Sequence, residues 1–200
     1  MTIDHHTALE EAVFRAVNHD AGRLFDAIAV VLSAKWFGIL IGTAIVLAIM
    51  VDGRRDRRER IGLALAFGLA LVVSDLVGAQ VLRPLFGRMR PCFALRAGTV
   101  RWLAPASDVG SLPSLHAANF FAMAVVAWAA RRWLGIAAMV VAVAVAAGRV
   151  YVGVHWPTDV LAGAVWGSLC AVAALASTSG AWATNVGRLR ERLSRPRDAP

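Results

Sequence analysis

Charge is scarce in this 200-residue chain: Asp, Glu, Lys and Arg make up 17% of it, against 58% hydrophobic residues. That shortage excludes an ordinary soluble domain, and the mean hydropathy of +0.62 points to several membrane passes. Cysteine is nearly absent. Cys92 falls in a polar connection and Cys170 in an apolar run, so the two are expected at different membrane depths and no disulfide is expected. Lysine is a single residue, Lys35, and every other basic side chain is arginine. The N-terminus lacks a basic stretch followed by an apolar core. Met1 to Asp20 is instead acidic and bears histidines, so no cleavable signal peptide is expected and the first spanning helix should act as its own insertion signal. There is no internal repeat, no second soluble domain and no convincing metal-ligand set. His5, His6 and His19 read as solvated side chains, and no metal or other cofactor is expected.

What is abundant is apolar sequence, and it falls into segments. Residues 8–18 read as a short amphipathic helix with Leu9, Val13, Ala16 and Val17 on one face, lying in the interface plane. Residues 22–33 continue apolar up to Lys35, whose stem can snorkel to the headgroups. Trp36–Val51, Ile61–Leu82, Ser114–Ala130, Trp133 to about Val152 and Pro157 to about Ser177 follow as candidate spans, each near the roughly 20 residues a crossing needs. The expected fold is therefore all-α, a polytopic membrane bundle of about five transmembrane helices plus an N-terminal interfacial helix. It is read as one domain over residues 1–200: an interfacial segment 1–33, a core 60–180 and a basic tail 188–200.

The net charge of +8 would suggest nucleic acid in a soluble protein. Here the arginines cluster between apolar runs, so topology accounts for them and no nucleic-acid partner is expected. Arg54, Arg55, Arg57, Arg58 and Arg60, then Arg131 and Arg132, then Arg188, Arg190, Arg192, Arg195 and Arg197 fall on one side of a five-span bundle. The positive-inside rule makes that side cytoplasmic. The N-terminus, the 83–112 connection and the 149–157 connection then face outward. The tryptophans 36, 102, 133, 156 and 182 fit membrane-boundary anchoring.

Three stretches on that outer side carry chemistry. In Arg149-Val-Tyr-Val-Gly-Val-His155-Trp-Pro-Thr-Asp159, Pro157 suits a first helical position. Asp159 then sits in the first turn, where its carboxylate can reach back toward His155. A carboxylate on one ring nitrogen leaves the other as a nucleophile or base. Arg149 offers a donor fork for phosphate oxygens. In Pro113-Ser114-Leu115-His116, Ser114 is a natural N-cap whose following amides can hold an anion, and His116 can act as a general acid. Arg83 and Arg90 stand seven residues apart, with Arg88 a further cation; Pro84 should bend the chain at Arg83. Taken singly, each stretch is equally well a capped helix or a headgroup-binding cluster. Asp75 and Gln80 in the second span read as a helix–helix hydrogen bond slightly better than as partners of the site cations.

Together the three stretches resemble the type 2 phosphatidic acid phosphatase superfamily of membrane lipid phosphatases. Its pattern is Lys-x6-Arg-Pro, then Pro-Ser-Gly-His, then Ser-Arg-x5-His-x3-Asp. The resemblance implies His155 as the nucleophile that becomes a phosphohistidine, Asp159 as the group that orients it and His116 as the acid. It makes Arg83, Arg90, Arg149 and Ser114 the ligands of the phosphoryl oxygens, with no metal. Arg83 replaces the family's Lys, Leu115 its Gly and Gly148 its Ser; the nucleophile, its Asp and the acid are all retained. The implied activity is dephosphorylation of a lipid phosphate or diphosphate at the outer face of a bacterial inner membrane, with undecaprenyl diphosphate first. Phosphatidylglycerophosphate, phosphatidate and a lipid A phosphate are the alternatives. An inactive binder of anionic lipids would not need both histidines and Asp159. A transporter or channel would carry charges at mid-bilayer in several spans rather than at one edge.

Overall fold

The protein was analysed as a computed structural model that describes residues 6–194, with side chains described through residue 178. Among these residues there are nine α-helices and a single isolated β-bridge, Met89 to Val109. They are α1 (Ala8–Val17), α2 (Arg23–Ser33), α3 (Lys35–Met50), α4 (Arg57–Val77), α5 (Arg83–Phe86), α6 (Pro91–Ala94), α7 (Leu115–Ala130), α8 (Arg132–Tyr151) and α9 (Pro157–Ser194).

Helix α7 is the axis of the bundle, and α4, α8 and α9 pack around it. Its sequence explains the position. Ala117, Ala118, Ala122, Ala124, Ala127 and Ala130 are all buried, and small side chains let helices approach closely where lipid offers no hydrophobic drive. The facing residues are smaller still. Gly163 and Gly167 on α9 form a G-x-x-x-G pair, and a Cβ on either would run into the carbonyl oxygen of Ser114 or Ala118. Since α7 opens at Ser114 and α9 carries Asp159, this contact also sets the distance between two parts of the candidate site. Gly167→Val should lower the apparent stability by about 1–3 kcal/mol through overpacking and should cut activity along with it. Thermal unfolding in detergent checks this; an unchanged melting temperature would show that the helices are not seated on this contact.

Among the described residues three helices are long and apolar enough to cross a membrane: Arg57–Phe86, Arg132–Tyr151 and Pro157–Thr178. Helices α2 and α3 pass the same test only as a pair bent by 65°, and α7 is a shorter apolar helix. At 1.5 Å per residue, its 16 residues span about 24 Å. The exposed faces carry Leu40, Leu47, Leu69, Val140 and Leu169, as expected of surfaces that meet lipid tails. Cys92 and Cys170 are free.

Two features depart from the sequence reading. Pro84 does not bend the chain at Arg83, which stays helical at φ −62°, ψ −46°. A π-helical turn over Gly78–Leu82 precedes it; the wider turn accommodates a proline ring that a regular helix would meet with the carbonyl four residues back. In α1 the buried face is not the apolar one. Leu9 is 75% exposed, whereas Phe14, Glu10 and Asn18 point inward. Helix α1 therefore sits on the protein through one face and offers Leu9 and Val13 to the surroundings through the other.

The two ends of the bundle differ in chemistry. At one end Arg131 donates to Asp52 and holds its carboxyl down to about 2, while Arg55 caps α7 by donating to the carbonyls of Ala129 and Ala130. The remaining arginines of the 54–60 turn belong to this end. The other end holds the three motif stretches. Of the basic tail expected from Arg188, the helix continues through Ser194 and residues 195–200 lie outside the described part.

Candidate active site

Backbone pairing in the loop delivers the first cations. Residues 88–90 run extended against residues 108–111, with Arg90 N donating to the Asp108 carbonyl (3.1 Å) and Ser111 N to the Arg88 carbonyl (3.0 Å). Side chains two apart on an extended segment share a face, so Arg88 and Arg90 reach the start of α9 together. A further bond, Ser114 N to the Asp159 carbonyl at 3.0 Å, ties the start of α7 to the start of α9.

Asp159 sits in the first turn of α9 and is fully buried. Its Oδ2 accepts from the Trp156 amide at 2.8 Å, the reach back over a helix start that the sequence suggested. The Ser111 hydroxyl donates to the same oxygen, and Arg88 donates to Oδ1 at 2.7 Å. His155 is also fully buried, with Nδ1 3.4 Å from Asp159 Oδ2. On the other side of the ring Arg90 lies 3.0 Å from Nε2. A guanidinium can only donate, so Nε2 carries the lone pair and the proton belongs on Nδ1, facing the carboxylate. Burial pushes the His155 imidazole down to about 3; Asp159 works against that shift and Arg90 adds to it. The ring is therefore neutral at every pH near 7, with its free nitrogen turned toward the arginines.

Arg83, Arg90, Arg149 and His116 line one cavity of about 1050 Å³. Its remaining wall is largely apolar and runs down α3, α4 and α7 past Gly38, Phe67, Leu71 and Phe120. Arg83 and Arg149 spend little of their donor capacity inside the protein, whereas Arg90 also donates to the Gly110 carbonyl at 3.3 Å and to His155. Arg83 donates to the Pro113 carbonyl at 3.3 Å, and Arg149 to the Ser33 carbonyl at 3.5 Å. Arg90 donates to the Val154 carbonyl at 2.9 Å. The Nε atoms of Arg90 and Arg149 are buried without a partner, and burial lowers the pKa of Arg90. Three guanidinium groups at one buried wall repel each other, and a bound anion relieves that cost. The Ser114 hydroxyl is likewise fully buried and unpartnered. Ser114 occupies the N-cap position of α7, but its side chain caps no amide, so the hydroxyl stays available as a donor.

The structure thus brings all seven expected residues to one end of the bundle. His116 and the three arginines face the cavity, while His155 and Asp159 lie behind Arg90. Among the described residues no group of three His, Cys, Asp or Glu side chains is placed to hold a metal ion. Taken with the helices, the geometry is that of a cationic pocket with a buried imidazole behind it. A PAP2 superfamily profile matches residues 62–183 of this chain.

The chain belongs to the PAP2 superfamily. It is accordingly a membrane-embedded lipid phosphate hydrolase. One PAP2 relative, an undecaprenyl-diphosphatase of Sulfolobus acidocaldarius, is 34% identical over 160 residues, 78% of this chain and 72% of that protein. A second, a lipid A 4'-phosphatase of Bacteroides thetaiotaomicron, is 33% identical over 107 residues, 51% of this chain and 48% of that protein. Among solved structures, Aquifex aeolicus LpxE superposes with a TM-score of 0.72 at 24% identity, covering 88% of this chain and 99% of that one. This likeness supports the fold.

The structure places two departures from the PAP2 pattern. Leu115, in place of Gly, turns its side chain toward Gly78, the first residue of the π turn, where any larger residue would collide with it. Gly148, in place of Ser, is not required by packing: a Cβ added there would meet the Ala29 carbonyl oxygen and the Leu32 Cβ of α2 only at 3.9 Å, ordinary van der Waals contact. Asp75 accepts from Asn119 of α7 at 3.3 Å, a helix–helix bond as the blander reading had it, though Asp75 also lines the cavity.

Trp36, Trp102 and Trp133 are exposed, whereas Trp156, read from the sequence as a boundary anchor like them, is 1% exposed. It stacks on His6 with ring centroids 4.5 Å apart and donates to the Met89 carbonyl at 3.0 Å. Its ring is covered by the N-terminal segment, through His6 and Phe14. The Trp182 side chain lies outside the described part, as does His5. Sequence reasoning missed Glu10, Ser111 and Thr158 and left Arg88 out of the site. The structure joins all four to Asp159 or to one another.

Proposed function

We propose that the protein hydrolyses a lipid diphosphate, undecaprenyl diphosphate first, through a phosphohistidine on His155 at the outer face of a bacterial inner membrane. The observation that carries this reading is a fully buried His155 held between the Asp159 carboxylate and the Arg90 guanidinium, beside a cavity that is cationic at one end and apolar below. The terminal phosphoryl group is drawn in by Arg83, Arg90, Arg149 and the Ser114 hydroxyl. Its oxygens take over Arg90 and uncover Nε2. The Nε2 lone pair then forms a bond to phosphorus as the bridging P–O bond breaks. The departing oxygen keeps that electron pair and takes a proton from His116. In the second half water attacks phosphorus, its proton passes to His116, and the N–P bond breaks to return the neutral imidazole. Positioning and charge stabilisation supply most of the catalysis in such transfers.

Orientation follows from the two chemically distinct ends: with the arginine-rich turns at 54–60 and 131–132 cytoplasmic, the site and the N-terminus face outward. The diphosphate preference draws on the undecaprenyl-diphosphatase relative, and the sugar-phosphate alternative on the lipid A 4'-phosphatase relative. A panel of undecaprenyl diphosphate, phosphatidylglycerophosphate, phosphatidate and lipid A, assayed for released phosphate with EDTA present, tests both substrate and metal independence. Fastest release from the polyprenyl diphosphate, undiminished by EDTA, is expected. Faster release from a monophosphate lipid would overturn the substrate, and loss of activity in EDTA would overturn the metal-free mechanism.

A further inference from the structure

Helix α1 brings a carboxylate to the catalytic end that lies outside the matched segment 62–183. Glu10 is 8% exposed, and glutamate is rarely buried unless paired. Its Oε2 accepts from Arg88 at 2.5 Å. Its Oε1 accepts from the Thr158 amide at 3.2 Å and from the Thr158 hydroxyl. Arg88 turns its other terminal nitrogen to Thr158 Oγ1 and Asp159 Oδ1, both at 2.7 Å. The result is a buried carboxylate–guanidinium–carboxylate bridge that ends on the group facing His155.

Glu10 gives Arg88 a second acidic partner, so the guanidinium is not neutralised by Asp159 alone and offsets less of the negative potential that the nearer Asp159 carboxylate places on the imidazole. As Nε2 attacks phosphorus the ring becomes cationic, and in a water-poor site the sign of that neighbour matters. We infer that Glu10 is a positioning residue for the hydrolysis: acting through Arg88, it fixes the Asp159 carboxylate against His155. This rests on the reading of His155 as the nucleophile.

The seat of α1 does not depend on Glu10. Phe14 is fully buried against Trp156, with ring centroids 5.3 Å apart. Asn18 donates to the carbonyls of Arg101 and Tyr151 at 2.8 and 2.7 Å. Glu10→Gln keeps the side chain's shape and should leave the helix docked. In the full-length protein, with undecaprenyl diphosphate as substrate, Glu10→Gln is expected to lower kcat roughly 10–100-fold, as loss of supporting partners does elsewhere, with KM within about twofold. Glu10→Asp should recover part of kcat. In an Arg88→Gln background Glu10→Gln should cost nothing further, because the two act as one unit. Phe14→Ala, which loosens α1 without touching charge, should lower the melting temperature more and kcat less. The inference is overturned if Glu10→Gln leaves kcat unchanged, raises KM alone, multiplies with Arg88→Gln, or shares the kinetic signature of Phe14→Ala. Wild type without turnover on the lipid panel overturns the functional reading and this inference together; active wild type with an equally active Glu10→Gln overturns the inference alone.

Discussion

His155→Ala is expected to reduce phosphate release by roughly 10⁴-fold or more, the scale on which loss of an enzyme's nucleophile acts. The substitution should do so without unfolding the protein. Asp159 keeps its bonds from Arg88, Ser111 and the Trp156 amide, and Arg90 keeps the Val154 carbonyl, so the frame around the missing ring stands. No other group can take over the attack from the same place, because His155 lies behind Arg90 while His116 lines the cavity. Two measurements together decide it. One is steady-state release from the best lipid substrate. The other is trapping of a phosphoenzyme with the acid lability and alkali stability of a phosphorus–nitrogen bond. Wild type should give that adduct and the variant should not. An alanine variant that is as fast as wild type, or that still gives the adduct, would remove His155 from the mechanism.

The low pKa of His155 adds a pH signature. As the proposed nucleophile, held at about 3 by burial, His155 is deprotonated well above that value and needs to lose no proton at pH 5 or 7. Any fall in kcat/KM between those values must come from another group, such as the phosphate of the substrate.

Much of this was legible in the sequence because it is local or set by topology. The reach of Asp159 back over the start of α9 follows from Pro157 and the first-turn position. The gathering of three distant motifs follows from counting arginines between apolar runs. What could not be read were contacts that local patterns do not encode. Glu10 and Thr158 are 148 residues apart, and a search for apolar periodicity in α1 picks Leu9 and Val13, the face that turns outward. Trp156 looked like a boundary residue because its neighbours are at a helix mouth; only packing against His6 and Phe14 shows that α1 covers it. Pro84 signals a break under local rules, and the π turn that absorbs it begins at Gly78, a residue with no signature of its own. Leu115 is the converse case: it departs from the family pattern, and the compensation is a glycine on another helix.

Asp159→Asn separates catalysis from capping at the same residue. The first turn of α9 uses Asp159 as an acceptor for three donors: Arg88, Ser111 and the Trp156 amide. Asparagine supplies one acceptor oxygen and a donor amide, so one of these three must face a donor. The site has reason to yield at Arg88, which has Glu10 as an alternative partner at 2.5 Å. The cost in stability should be about 1–3 kcal/mol, that of a buried group left poorly paired. The cost in activity should be far larger, roughly 10³–10⁴-fold in kcat, as when a carboxylate that orients a catalytic imidazole is replaced by its amide. The reason is that the neutral side chain can still cap the helix but no longer stabilises a cationic ring on His155. KM should change little, because the arginines that bind the phosphoryl group do not need Asp159 to be charged. Ser111→Ala provides the scale: it removes one donor from the same oxygen and leaves the charge. If Asp159→Asn is no slower than Ser111→Ala when both are folded, Asp159 is a helix cap and the imidazole is oriented by something else.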